Sequence, residues 1–71
     1  MERITITTEF IKLQDLLKFA SLVSTGGEAK MLILDGQVTV NGEVCDMRGR
    51  KIRPGDVVGF NGGEYTVTYA D

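Results

Sequence analysis

Four cations packed into six residues, Arg48, Arg50, Lys51 and Arg53, are the densest chemistry in this chain of 71 residues. No acid interrupts them, whereas the rest of the sequence holds four bases against ten acids, a balance of −6. A basic spot on an acidic body suits a small, selective phosphate-binding surface, because a general polyanion coat would be basic throughout. Charge alone is read more simply as a solvated loop. A second candidate lies upstream, where Gly26-Gly27 stands just before an apolar stripe at helical spacing. Two glycines opening a helix leave backbone N–H groups uncovered at the positive end of its dipole, and Lys30 follows one turn later. Glu28 opposes this with a negative charge in the same turn, and by itself a Gly-Gly pair is a connector between helices.

Other chemistry is excluded more firmly. Histidine is absent and Cys45 is the single cysteine, so there is no Cys/His set for zinc and no Ser-His or Cys-His pair for nucleophilic catalysis. Each of the ten carboxylates sits among polar or turn residues, where solvation and not a raised acid/base pKa is expected. Gly26-Gly27-Glu28-Ala29-Lys30 lacks the spacing of a phosphate loop, and no Gly-x-Gly-x-x-Gly occurs. The expectation is a non-enzyme with no catalytic residues, no metal and no cofactor. One cysteine cannot staple a secreted scaffold, no signal-like run opens the chain, and Met31-Leu32-Ile33-Leu34 is the longest apolar stretch. A cytoplasmic protein with no membrane partner is expected.

The elements that must hold these residues are short. Arg3 to Thr7 alternates polar and apolar β-branched side chains, which predicts a strand with Ile4 and Ile6 facing a core. Leu13, Leu16, Leu17 and Ala20 predict a first helix from Leu13 to Ser21, with Phe10 and Ile11 leading into it. Ala29, Leu32 and Ile33 predict a second from Gly27 to Asp35, closed by Gly36. Val38 and Val40 alternate as a strand, Asn41-Gly42 is a hairpin turn, and Glu43-Val44-Cys45 returns. Arg53-Pro54-Gly55-Asp56 places proline and glycine where a type II turn wants them. Val57, Val58 and Phe60, then Tyr65, Val67 and Tyr69 after Asn61-Gly62-Gly63, complete the strands. The two tyrosines share a face with Val67 and are expected at the core or its edge, and Cys45 is expected to be a small buried residue. The class is α+β: a two-helix hairpin packed on a small, mostly antiparallel sheet. At this length residues 1–71 are expected to form a single domain.

The string from Thr25 to Gly42, TGGEAKMLILDGQVTVNG, resembles the alpha-L RNA-binding domain, named after the small-subunit ribosomal protein of the S-four type. Ala29, Leu32-Ile33, Gly36, Val38 and Val40-Asn41-Gly42 match that pattern with spacing intact. Downstream, the basic run before Gly55-Asp56 and the strand from Val57 match it again, so the resemblance covers Leu13 to Phe60. It is closest to the short stand-alone bacterial YaaA-like proteins. Where many members open helix two with Ser-Arg, this chain has Thr25-Gly26, so the arginine contact does not carry over. Thr25 is expected to cap the helix.

The resemblance implies recognition of structured RNA, of the ribosomal or transfer RNA class, chiefly through phosphates. The implied contacts are Gly26, Gly27, Lys30, Asn41, Arg48, Arg50, Lys51 and Arg53, with Arg53 shared with its turn and Asn41 secondary to its turn. The basic run and the start of helix two are expected to meet in one patch. A different class stays open: a protein-interaction module, using the acidic face, on a ribonucleoprotein or a replication or repair complex, so a protein partner beside RNA remains in view. A β-grasp sulfur carrier fails, because such carriers need a C-terminal Gly-Gly and Gly62-Gly63 is internal.

Overall fold

A computed structural model describes residues 1–70 of the chain; Asp71 lies outside them. Nine short elements follow one another: β1 (Glu2–Ile6), β2 (Ile11–Lys12), α1 (Leu13–Phe19), α2 (Gly26–Leu34), β3 (Val38–Val40), β4 (Glu43–Val44), β5 (Lys51–Ile52), β6 (Val57–Phe60) and β7 (Gly63–Tyr69). The main sheet has the order β1-β7-β6-β3-β4, with β1 parallel to β7 and every other pair antiparallel. The expected α+β class, two helices against a mostly antiparallel sheet, is what the chain adopts.

Alternation sorts the sheet as the sequence predicts. Ile4, Ile6, Val38, Val40, Val58 and Val67 are buried on one face, while Thr5, Thr39, Thr66 and Thr68 stand between them on the other. The helices lay Leu13, Leu16, Leu17, Ala29 and Ile33 on that apolar face, all fully buried. Burying a leucine or isoleucine to this degree stabilises the fold by about 1.5–3 kcal/mol. Cys45 joins the core and Tyr65 packs half-buried against it, as expected, whereas Tyr69, at the end of β7, is 51% exposed and does not reach the core.

Both helices end in the same backbone motif, and it corrects the first boundary. Behind α2, Gly36 N–H donates to Ile33 O and Gln37 N–H to Leu32 O, with Gly36 at φ +77°. Behind α1, Ser21 N–H donates to Lys18 O and Leu22 N–H to Leu17 O, and Ser21 takes the left-handed position at φ 60°. The first helix therefore stops at Phe19, two residues before the expected end, because Ser21 is its left-handed terminator. The second runs one residue earlier at each end than expected, with Thr25 as N-cap.

Two elements were not expected. Phe10-Ile11 does not simply lead into α1: Ile11 and Lys12 pair antiparallel with Ile52 and Lys51, making a separate two-stranded ladder at the start of that helix. Ile52 is its fully buried anchor.

Candidate nucleic-acid interface

The basic run is held at the start of α1 by its backbone. Lys12 occupies the N-cap position without capping through its side chain, and the helix's first amides find other acceptors: Leu13 N–H donates to Arg50 O at 2.9 Å and Gln14 N–H to Arg48 O at 3.0 Å. The bonds use carbonyls only, so the Arg48 and Arg50 side chains stay exposed while their backbone is fixed.

Pairing of β2 with β5 sets Lys51 directly opposite Lys12. Both are exposed, and like charges at such a position repel. Half-buried Phe10 sits beneath this end of the ladder: Lys51 Nζ lies 4.9 Å, and the Arg53 guanidinium carbon 5.8 Å, from its ring centroid. The ring face attracts both cations, at about 0.5–1 kcal/mol for exposed pairs. Lys51 and Arg53 thus gather over one aromatic with Lys12 across the ladder from Lys51, a concentration of charge that an anion would relieve. Arg53 also serves the turn, as expected: its N–H donates to Asp56 Oδ2 at 2.8 Å, and Asp56 N–H donates to Arg53 O across Pro54-Gly55, with Gly55 at φ +99°.

The start of α2 is built as a cap. Thr25 Oγ1 accepts the Glu28 N–H at 3.1 Å, and Glu28 Oε1 reaches back to accept the Ser24 N–H at 3.0 Å. Glu28 is thereby committed to the cap. The amides of Gly26 and Gly27 precede the helical ladder and face outward. A methyl group built on Gly26 would lie 3.9 Å from Lys18 Cδ, so the end of α1 brings a lysine to the start of α2, and Lys30 is exposed one turn further on.

These placements alter the expected convergence. Arg48 and Arg50 rest on the first residues of α1, whereas Gly26 adjoins Lys18 near its last. The two basic groups therefore lie at opposite ends of the seven residues of α1, about 10 Å of helix apart, where a single spot was expected. Sequence reasoning left out Lys12, Lys18 and Phe10. Lys18 falls on the polar side of its helix, and only the folded chain, which brings Gly26 against it, gives it a neighbour. The ladder that places Lys12 and Phe10 is too short to leave a periodic signal.

Asn41 is occupied differently. Its Nδ2 donates to Asp56 Oδ1 at 3.1 Å and its Oδ1 accepts the Val57 N–H at 2.9 Å, so its amide ties the β3–β4 turn to the turn before β6. Among the described residues, no group of three or more His, Cys, Asp or Glu side chains is arranged to hold a metal, and no helix is long and apolar enough to cross a membrane.

Comparison with known proteins agrees with this architecture. YbcJ from E. coli, whose solution structure is described as revealing an "ALFAL" motif involved in RNA-binding, superposes with a TM-score of 0.72 at 33% identity, over 96% of this chain and 87% of its own. The 30S ribosomal protein S4e of Thermoplasma acidophilum superposes with a TM-score of 0.68 at 25% identity; the match takes in 92% of this chain but 34% of that larger protein. The chain is also 44% identical over 59 residues, 83% of each protein, to the "probable ribosome maturation protein RlbA" of Bacillus subtilis (strain 168). The S4 domain model matches residues 4–68, and with that match the chain belongs to the S4 domain family, the alpha-L RNA-binding motif.

Proposed function

We propose that this protein binds structured RNA of the ribosomal class through its phosphates, as a non-catalytic factor in ribosome maturation. The observation that carries the reading is the placing of basic groups at both ends of α1. Arg48, Arg50, Lys51 and Arg53, joined by Lys12, meet the RNA at one end, and the Gly26 and Gly27 amides with Lys18 and Lys30 meet it at the other. Two anchors about a helix length apart favour recognition of backbone shape across a groove over the reading of base edges. Asn41 belongs to the scaffold of this site, since both ends of its amide are engaged within the fold. The printed names of the relatives, ribosome maturation for RlbA and RNA-binding for YbcJ, support this direction, and in this proposal the RNA is ribosomal and the setting cytoplasmic. Residues 1–71 act as one binding domain in this proposal.

The test is fluorescence anisotropy with a labelled ribosomal RNA hairpin across a salt series. Four phosphate contacts give a log–log slope of about −3. Replacing Arg50 and Lys51 together by Glu abolishes binding and leaves the fold intact, because both side chains are exposed and the bonds that hold this segment are backbone ones; loss of the Lys51–Phe10 contact costs about 0.5–1 kcal/mol. Glu64→Lys, exposed on β7, serves as the charge control. Parent-like binding by the double variant, or a parent that binds no RNA at low salt, refutes the proposal.

A further inference from the structure

The far end of α2 carries a surface outside the proposed RNA contacts. A soluble helix normally turns polar residues to water, yet α2 exposes Met31 and Leu34, 72% and 58% accessible and neighbours at i and i+3. With Leu32, Asp35 and Gln37 they line an open groove of about 490 Å³, room for a few side chains. Val44 extends the apolar surface from the edge strand β4: it is 65% exposed, and its Cγ1 lies 3.7 Å from a methyl group built on Gly36.

The groove's charge selects its occupant. Asp35 caps the helix at its negative end, no basic residue occupies the last turn, and Glu43 precedes Val44 on the same edge. Gln37 Nε2 donates to Asp35 Oδ2 at 2.7 Å and so holds the carboxylate beside the groove. Nucleic acid is repelled here. A second copy related by a two-fold axis sets Asp35 and Glu43 against their own kind, because such an interface uses the same patch twice. A protein segment bearing an apolar side chain between lysines or arginines satisfies both features.

We infer that the groove at the C-terminal end of α2 docks a basic protein segment with one apolar anchor, seated on Met31 and Leu34 with its cations on Asp35 and the helix carbonyls. The nine residues of α2 separate this groove from the Gly26-Gly27 end by about 13 Å, so one helix presents an RNA-facing end and a protein-facing end. The docking rests on the groove and its charge, and the division of α2 into two ends rests on the proposed RNA reading.

The test is a titration of the ¹⁵N-labelled protein with a synthetic lysine–arginine peptide carrying one central leucine. Amide shifts confined to residues 31–37 and 43–44 are expected. Changing the peptide's leucine to serine weakens binding about tenfold, in keeping with one partly buried leucine. Met31→Ser/Leu34→Ser in the protein, and separately Asp35→Lys, weaken it by a similar factor. The serine pair alters only exposed side chains, and Asp35→Asn substitutes should the reversal disturb the helix end. RNA binding by the serine pair stays at the parent value. Equal affinity for the leucine and serine peptides, shifts centred elsewhere, no binding, loss of RNA binding in the serine pair, or a dimer that the serine pair dissolves each overturns the inference.

Discussion

The family pattern makes Asn41 a candidate RNA contact, and the structure makes it a tie between turns, so its replacement separates the two roles. Asn41 and Gly42 form the two-residue connection of the β3–β4 hairpin, with φ of 52° and 87°. Asn41→Gly preserves that backbone and deletes the bonds to Asp56 Oδ1 and the Val57 N–H. At about 1 kcal/mol for each exposed bond, the loss is about 1.5–2.5 kcal/mol. Asn41→Ala loses the same bonds and adds about 1 kcal/mol for a side chain in the left-handed region. A domain of this length has a total stability of about 4–10 kcal/mol, so both variants fold. The melting midpoint drops on the order of 10 °C for glycine, and further for alanine. Thermal melts followed by circular dichroism measure this, and RNA anisotropy well below both midpoints supplies the second readout, where affinity stays within about twofold of the parent. An Asn41→Gly protein that melts with the parent yet loses RNA affinity refutes the reasoning, because the amide would then act on the ligand and not on the turn.

Three further outcomes are expected. Ser21→Gly relieves a left-handed serine at the end of α1 and raises stability by about 0.5–1 kcal/mol in urea denaturation, without changing RNA binding. Gly59→Ala lowers stability by about 1–3 kcal/mol, since a methyl there collides with Thr39 Oγ1 across the sheet; adding Thr39→Ala recovers part of the loss, and the double-mutant cycle returns a coupling of about 1 kcal/mol. Lys18→Glu reduces RNA affinity and flattens the salt slope by about one contact, measured by anisotropy, while Glu64→Gln, exposed on β7, does neither.

What was legible in the sequence was what periodicity or turn chemistry encodes. Ile4 and Ile6, the leucines of α1 and the valines of β3 declare a buried face because alternate or fourth-residue burial repeats often enough to be seen. Asn41-Gly42 and Pro54-Gly55 declare their turns because few other residues accept those backbone angles. The ladder of Ile11-Lys12 with Lys51-Ile52 could not be seen, since two residues hold no period and their partners are forty residues apart. Ser21 hid the end of α1 because glycine, the usual signal for that position, is missing there. The basic run was plain from charge alone. Its attachment to the start of α1 was not, because carbonyl acceptors leave no mark in the residue types.

That attachment bears on how so small and acidic a chain can hold a polyanion. Ordering a long cationic side chain and its loop on binding costs about 0.5–1.5 kcal/mol for each residue immobilised, comparable with the gain from one exposed phosphate contact. Here the ordering of the Arg48–Arg50 backbone is completed during folding, when its carbonyls accept the Leu13 and Gln14 amides, and Phe10 restrains Lys51 and Arg53. The start of α1, which has no side-chain cap, is completed by the same two bonds, so helix and basic run stabilise each other. A few fixed cations can then act against a background of −6 where a flexible tail of equal charge would not, and acids away from them, such as Asp35, are free to repel RNA from the far end of α2.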